Sequence, residues 1–171
     1  MRYLPLVGLY NKPAGADSLA SGVSYSTQPT DIPYNAQAVE DNRIYEFVRI
    51  SGTCTVGAFL YYTGTALNYV CQSGTGGVRP AGVSLVAPTA SGAWSWIQKY
   101  GKNTSIQITS TFSTAKPYDA MYVNGGSGAT NFSDTISGAG LGSGSIGAWA
   151  LVGQSLTAAT GSQTVGFINL L

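Results

Sequence analysis

Ile44-Tyr45-Glu46-Phe47-Val48-Arg49-Ile50 is a run of β-branched and aromatic residues, and Ser51-Gly52 closes it with a turn signal. Such a run favours a strand, because branched and aromatic side chains pack well on a pleated surface. The same grammar repeats outward from it. Cys54 to Tyr62 follows Ser51-Gly52, Leu67 to Gln72 follows Thr63-Gly64-Thr65, and Ala81 to Ala87 lies between Gly76-Gly77 and Pro88. Trp94-Ser95-Trp96-Ile97-Gln98 precedes Gly101. Ile106, Ile108, Ser110 and Phe112 alternate with Gln107, Thr109 and Thr111, the period of a half-buried strand. Ala120 to Val123, Ile146 to Leu156 and Thr164 to Leu170 complete the set. No segment holds a helical stripe with caps. Many short strands with regular turn signals predict an all-β domain, a sandwich or a barrel.

Residues 1–38 differ from the rest. They carry Pro5, Pro13, Pro29 and Pro33 among Ser, Gly, Thr and Gln. Proline neither donates to a ladder nor continues a helix, so this stretch reads as an extended N-terminal arm, with 39–171 as the domain. Tyr3, Tyr10, Tyr25, Tyr34 and the leucines are candidate anchors to a partner. The competing reading is a flexible tail or a strand-edge wrap of the same domain. Residues 124–147 are Gly/Ser-rich and too long for a hairpin turn, which predicts a surface loop. Ala81-Gly82-Val83-Ser84-Leu85-Val86-Ala87 is echoed by Val152-Gly153-Gln154-Ser155-Leu156-Thr157-Ala158, which suggests two similar strand–turn–strand units.

The chain has 171 residues, enough to bury a core without disulfides or metals. Charged residues make up 9%, against roughly 25% in an ordinary soluble domain. A surface so poor in charge resists association weakly, which suits a protein largely covered by neighbours. The net charge is +1 and the basic residues are scattered. Nucleic-acid binding requires clustered Lys and Arg and is not expected. No apolar run approaches the ~20 residues of a membrane helix. The stretch from Met1 to Tyr10 is too short and is broken by Pro5, so it does not read as a signal peptide. Synthesis and retention in a cytoplasm are expected. There Cys54 and Cys71 are either small buried hydrophobes or, once in an oxidising medium, a disulfide across neighbouring strands.

Histidine is absent, which removes Ser-His-Asp and Cys-His catalysis and the commonest metal ligand. Ser113-Thr114-Ala115-Lys116 fits a Ser-x-x-Lys pattern, but that chemistry needs a helix and Pro117 follows. Gly142-Ser143-Gly144-Ser145-Ile146-Gly147 fits Gly-x-Gly-x-x-Gly. It lacks a strand before it, a helix after it and any acid beyond Asp134 to hold a ribose. Asn103-Thr104-Ser105 and Asn131-Phe132-Ser133 are glycosylation sequons, which matter only in a secreted chain. Asp17, Asp31, Glu40, Asp41, Glu46, Asp119 and Asp134 are the only acids, and no spacing singles out a catalytic pair. Adjacent Glu40-Asp41 reads as a solvated turn before the Ile44 strand. No enzyme activity, cofactor or metal is expected. Trp94 and Trp96 share one face of a strand and Ile97 the other. Core packing and an intersubunit surface are both open to them.

The segment from Gly82 to Gln98, closed by Gly101, resembles a run met in small structural proteins of tailed bacteriophages, Gly-Val-(Ala/Ser)…Ala-x-Gly-x-x-x-Trp-(Val/Ile)-Gln…Gly. Asn42 to Arg49 is similar to the strand that opens such domains, and the echo at Val152 to Ala158 fits the same style. The resemblance covers 39–112 and the last twenty residues. It implies a head decoration (capsid cement) protein. The expected fold is then a β-barrel or jelly-roll domain, usually a homotrimer at three-fold positions, bound to the major capsid protein on the virion surface. The candidate interaction residues, read from the apolar arm and the tryptophan alternation rather than from the resemblance, are Tyr3, Leu4, Leu6, Leu9, Tyr10, Trp94 and Trp96. Other classes that fit are a minor capsid or tail/fibre protein and a glycan-binding β-module.

Overall fold

The computed structural model describes residues 19, 22–33, 35–63, 70–72, 79–88, 92–107, 117–118, 120–124, 130–133, 149–156 and 163–170. They form β1 (Ser24–Tyr25), β2 (Gln37–Glu40), β3 (Arg43–Ile50), β4 (Phe59–Tyr62), β5 (Val70–Gln72) and β6 (Pro80–Ser84). The series continues with β7 (Ala93–Gln107), β8 (Ala120–Asn124), β9 (Thr130–Ser133), β10 (Trp149–Ser155) and β11 (Gln163–Asn169). The described residues contain no α-helix, and the fold is all-β, as the sequence predicts. One sheet runs β2-β3-β5-β4-β6-β7-β11-β10-β8-β9, with β1 beside β7 and a second pairing between β3 and β7. Its pairings are antiparallel except for the parallel β3–β5 contact.

The expected closed barrel is not formed. Five strands do pair in a ring, β3 to β5, β4, β6, β7 and back to β3. Three of those ladders, β3–β5, β4–β5 and β6–β7, are only two residue pairs long among the described residues. Beyond the ring β7 bends away and carries β11, β10, β8 and β9 as an open extension. A barrel needs a register that closes continuously around all its strands.

β7 explains much of this shape. The sequence suggests two strands, one before Gly101 and one from Ile106 onward. The structure carries a single fifteen-residue strand from Ala93 through Gly101 to Gln107, and Ile108 to Phe112 lie outside the described residues. Gly101 sits at φ +98, and a Cβ there would lie 2.8 Å from the Asn42 carbonyl oxygen. Only glycine fits that close approach without strain. Up to Tyr100, β7 pairs with β3; from Tyr100 on it pairs with β11. Buried amides brace the bend. Gln98 Nε2 donates to the Tyr100 and Lys102 carbonyls, and Asn103 Nδ2 donates to Gln98 Oε1 at 2.9 Å.

β2 and β3 are joined by Asp41 and Asn42, at φ 49 and 59. Two consecutive left-handed residues make the type I′ turn that matches the twist of a hairpin. This is the turn that Glu40-Asp41 marks in the sequence. Of the expected strand from Cys54 to Tyr62, only Phe59–Tyr62 is extended. The preceding residues turn, with Ala58 N–H donating to the Thr55 carbonyl and Gly57 at φ +85.

β3 is buried on both faces from Tyr45 to Val48 and at Ile50, and its apolar side chains are divided between the two. One face, with Val48 and Ile50, packs on Leu60, Tyr62, Ala81 and Ile97 inside the ring. The other, with Tyr45 and Phe47, packs on Trp94, Trp96, Leu85, Ala38 and Ile32. Phe47 is central to the second cluster. Its ring stacks on Trp94 at 5.9 Å and meets Trp96 and Tyr25 edge-on at 5.2 and 6.0 Å.

The stretch read as an arm, 1–38, falls partly outside the described residues. Its described part lies along the outer face of β3 and β7, where Leu19, Tyr25 and Ala36 pack against the aromatic cluster and Ile32 is 1% exposed. Within the stretch read as the loop 124–147, Thr130–Ser133 forms β9 against β8. The two echoing units are both antiparallel pairs, β6 with β7 and β10 with β11.

Candidate functional site

The charged groups that the fold encloses meet at one end of the ring. Tyr45 opposes Gln98 and Ile44 opposes Tyr100, so Lys99 is the extra residue of a β-bulge. Its Nζ lies 2.6 Å from Glu46 Oε2. The Tyr62 hydroxyl donates to Glu46 Oε1 at 2.8 Å. Lys99 Nζ is also 3.4 Å from that hydroxyl. Arg79 places its guanidinium carbon 4.5 Å from the centre of the Tyr62 ring, within cation–π range.

Within this cluster Lys99 neutralises Glu46. Glu46 is 4% exposed and is the only buried acid among the described residues. Both of its oxygens are engaged, one by an ammonium and one by a phenol. Asp31 and Asp41 are exposed, and Glu40 accepts the Leu19 N–H at 2.8 Å. Among the described residues no second buried carboxyl stands beside Glu46 to divide acid and base roles. Among the described residues, no group of three or more His, Cys, Asp and Glu is placed to hold a metal ion. No helix among them is long and apolar enough to cross a membrane.

Other polar side chains in the interior serve the backbone. Cys54 carries a free thiol, donating to Ser84 Oγ at 3.3 Å. Burial raises its pKa, with the Ser84 contact opposing, so the thiolate is disfavoured at neutral pH. Ser84 Oγ in turn donates to the Val86 carbonyl at 2.7 Å. The Cys71 side chain lies outside what is described. Asn103, the first sequon residue, is buried with its amide committed to Gln98 and to the Ser105 N–H.

Of the interaction residues inferred from sequence, Tyr3, Leu4, Leu6, Leu9 and Tyr10 lie outside the described residues. Trp94 and Trp96 are 7% and 1% exposed and belong to the Phe47 cluster. Their shared face is the one that alternation predicts, and the chain's own residues cover it. The Ser113–Lys116 and Gly142–Gly147 motifs also lie outside the described residues. Sequence reading missed the Glu46–Lys99 contact. The sequence offers several charges in these two strands, Arg43, Glu46 and Arg49 in β3 and Lys99 and Lys102 in β7, and which of them meet depends on the bulge. Compared with known proteins, the chain matches no family model and no curated sequence.

Proposed function

We propose that the chain is a structural virion protein, a decoration protein that binds the major capsid protein on the outside of a tailed-phage head. It acts without catalysis, cofactor or metal. Its sheet is a jelly-roll-like variant, and it works as a homotrimer on the shell. The observation that carries this reading is where the phage-like segment lies. Its residues from Gly82 form the end of β6 and the first half of β7, the strand that joins the ring to the extension. The low charge of the chain and the internal neutralisation of Glu46 support it. A cement protein stabilises a shell by mass action, because it binds the assembled lattice better than free subunits.

Mass spectrometry of purified particles of the encoding phage tests the reading. The expected result is a copy number comparable to that of the major capsid protein, retained in tailless heads. Absence from particles would overturn it, as would co-purification with tails alone.

A further inference from the structure

Residues 22–33, 35 and 36 cross the outer face of β3 and β7 as a strap. Its regular backbone pairing is slight. Ser24 opposes Ser95 and Tyr25 opposes Trp94, and the Ser95 hydroxyl donates to the Val23 carbonyl at 2.7 Å. The hold is mainly apolar, through Ile32 and Tyr25 on the Phe47–Trp94–Trp96 face.

The strap enters β2 through a tight turn. Ala36 N–H donates to the Pro33 carbonyl at 3.1 Å, and Asn35 lies at φ 57. Asn35 N–H donates to the Phe47 carbonyl while Phe47 N–H donates to the Ala36 carbonyl, so two residues face one, as in a bulge. Asn35 Oδ1 is buried with no hydrogen-bond partner. A left-handed non-glycine residue and an orphaned amide oxygen are both unfavourable, and straightening the turn relieves both.

We propose that this strap is exchanged between copies of the chain: opening at residues 33–36 lets residues 22–32 of one copy cover the Phe47–Trp94–Trp96 face of another. Strained hinges favour such exchange. An opened copy would expose three large aromatic rings, which must be covered again. The identical strap is the occupant whose fit is already seen, because each contact made within one chain can be remade between two. The exchange concerns self-association only and stands apart from the capsid reading.

The test uses the full chain carrying Ser24→Cys and Ser95→Cys. Normal and heavy-isotope copies are mixed in denaturant, refolded together at several concentrations, oxidised, digested and weighed. Exchange predicts mixed-isotope 24–95 cross-links in an oligomer fraction that grows with concentration. Same-isotope pairs alone, in a monomer or in an oligomer, overturn it. Hinge variants with native Ser24 and Ser95 give a second reading. Asn35→Gly tolerates the left-handed turn and removes the orphaned oxygen, so it should lower the oligomer fraction. Asn35→Val disfavours the closed turn and should shift the equilibrium about tenfold toward oligomer. A strict monomer for all three chains, by light scattering at every concentration, would also overturn the proposal.

Discussion

Lys99 reaches Glu46 because it is the unpaired residue of a bulge in the β3–β7 ladder, and its Nζ lies 2.6 Å from Glu46 Oε2 while Tyr62 holds the other oxygen. Removing one partner leaves an uncompensated charge in a largely dry site. Glu46→Gln should therefore lower stability by about 1.5–3 kcal/mol. Glu46→Leu combined with Lys99→Met should restore much of the loss, because the buried pair also carries a desolvation cost. Urea denaturation of the single and double variants measures both effects. Equal stability of Glu46→Gln and the natural chain would mean the contact contributes nothing.

The aromatic face offers a second test. Phe47→Ala removes the ring shared by Trp94, Trp96 and Tyr25 and should cost about 3–5 kcal/mol. Ile32→Ala should cost about 2–5 kcal/mol, because Ile32 is a core residue although it precedes the first long strand. An unchanged midpoint for Ile32→Ala would show that the strap adds nothing to the core.

Two glycines with positive φ separate backbone preference from crowding. Gly52 is at φ +88 and a Cβ there would meet nothing within 4 Å. Gly52→Ala should cost about 1–2 kcal/mol, the left-handed penalty alone. A Cβ on Gly57 would collide with the Ser105 carbonyl oxygen. Gly57→Ala should be clearly worse than Gly52→Ala in thermal unfolding. Equal losses would mean that the close approach of the 55–58 turn to β7 is not made in solution.

Several of these features were legible in the sequence, and the reason is local. Ile44 to Ile50 reads as a strand because both of its faces are apolar. The alternation of Trp94, Trp96 and Ile97 assigns them to opposite faces. What covers the tryptophan face is not local, since Ile32 and Tyr25 arrive from the proline-bearing stretch. β2 gives a weak signal because Gln37 and Glu40 are polar, and its pairing depends on the Asp41-Asn42 turn. Gly101 reads as a stop because glycine both ends strands and bends them. The site at Glu46 was hidden because a one-residue bulge sets which charge meets which.

Alkali should destabilise the protein. Burial raises the pKa of Tyr61 and of Tyr45 above the ordinary 10.0, with Arg43 partly opposing the shift at Tyr45. Above pH 10 the unfolded chain loses these phenolic protons while the folded chain keeps them. The stability they provide is thus fully present below about pH 10 and is lost as pH rises toward the folded values. Denaturation midpoints between pH 8 and 12 should fall above 10. Tyr61→Phe should flatten part of that fall, and an unaltered profile would show that Tyr61 is not the group responsible.

The proposed role on a phage head is tested most directly by sedimenting the full chain with heads of the encoding phage stripped of accessory proteins. The account predicts saturable pelleting at a fixed ratio to the major capsid protein, with heads that then resist heat better than bare ones. A chain that stays in the supernatant, with bare and mixed heads failing at the same temperature, would contradict it.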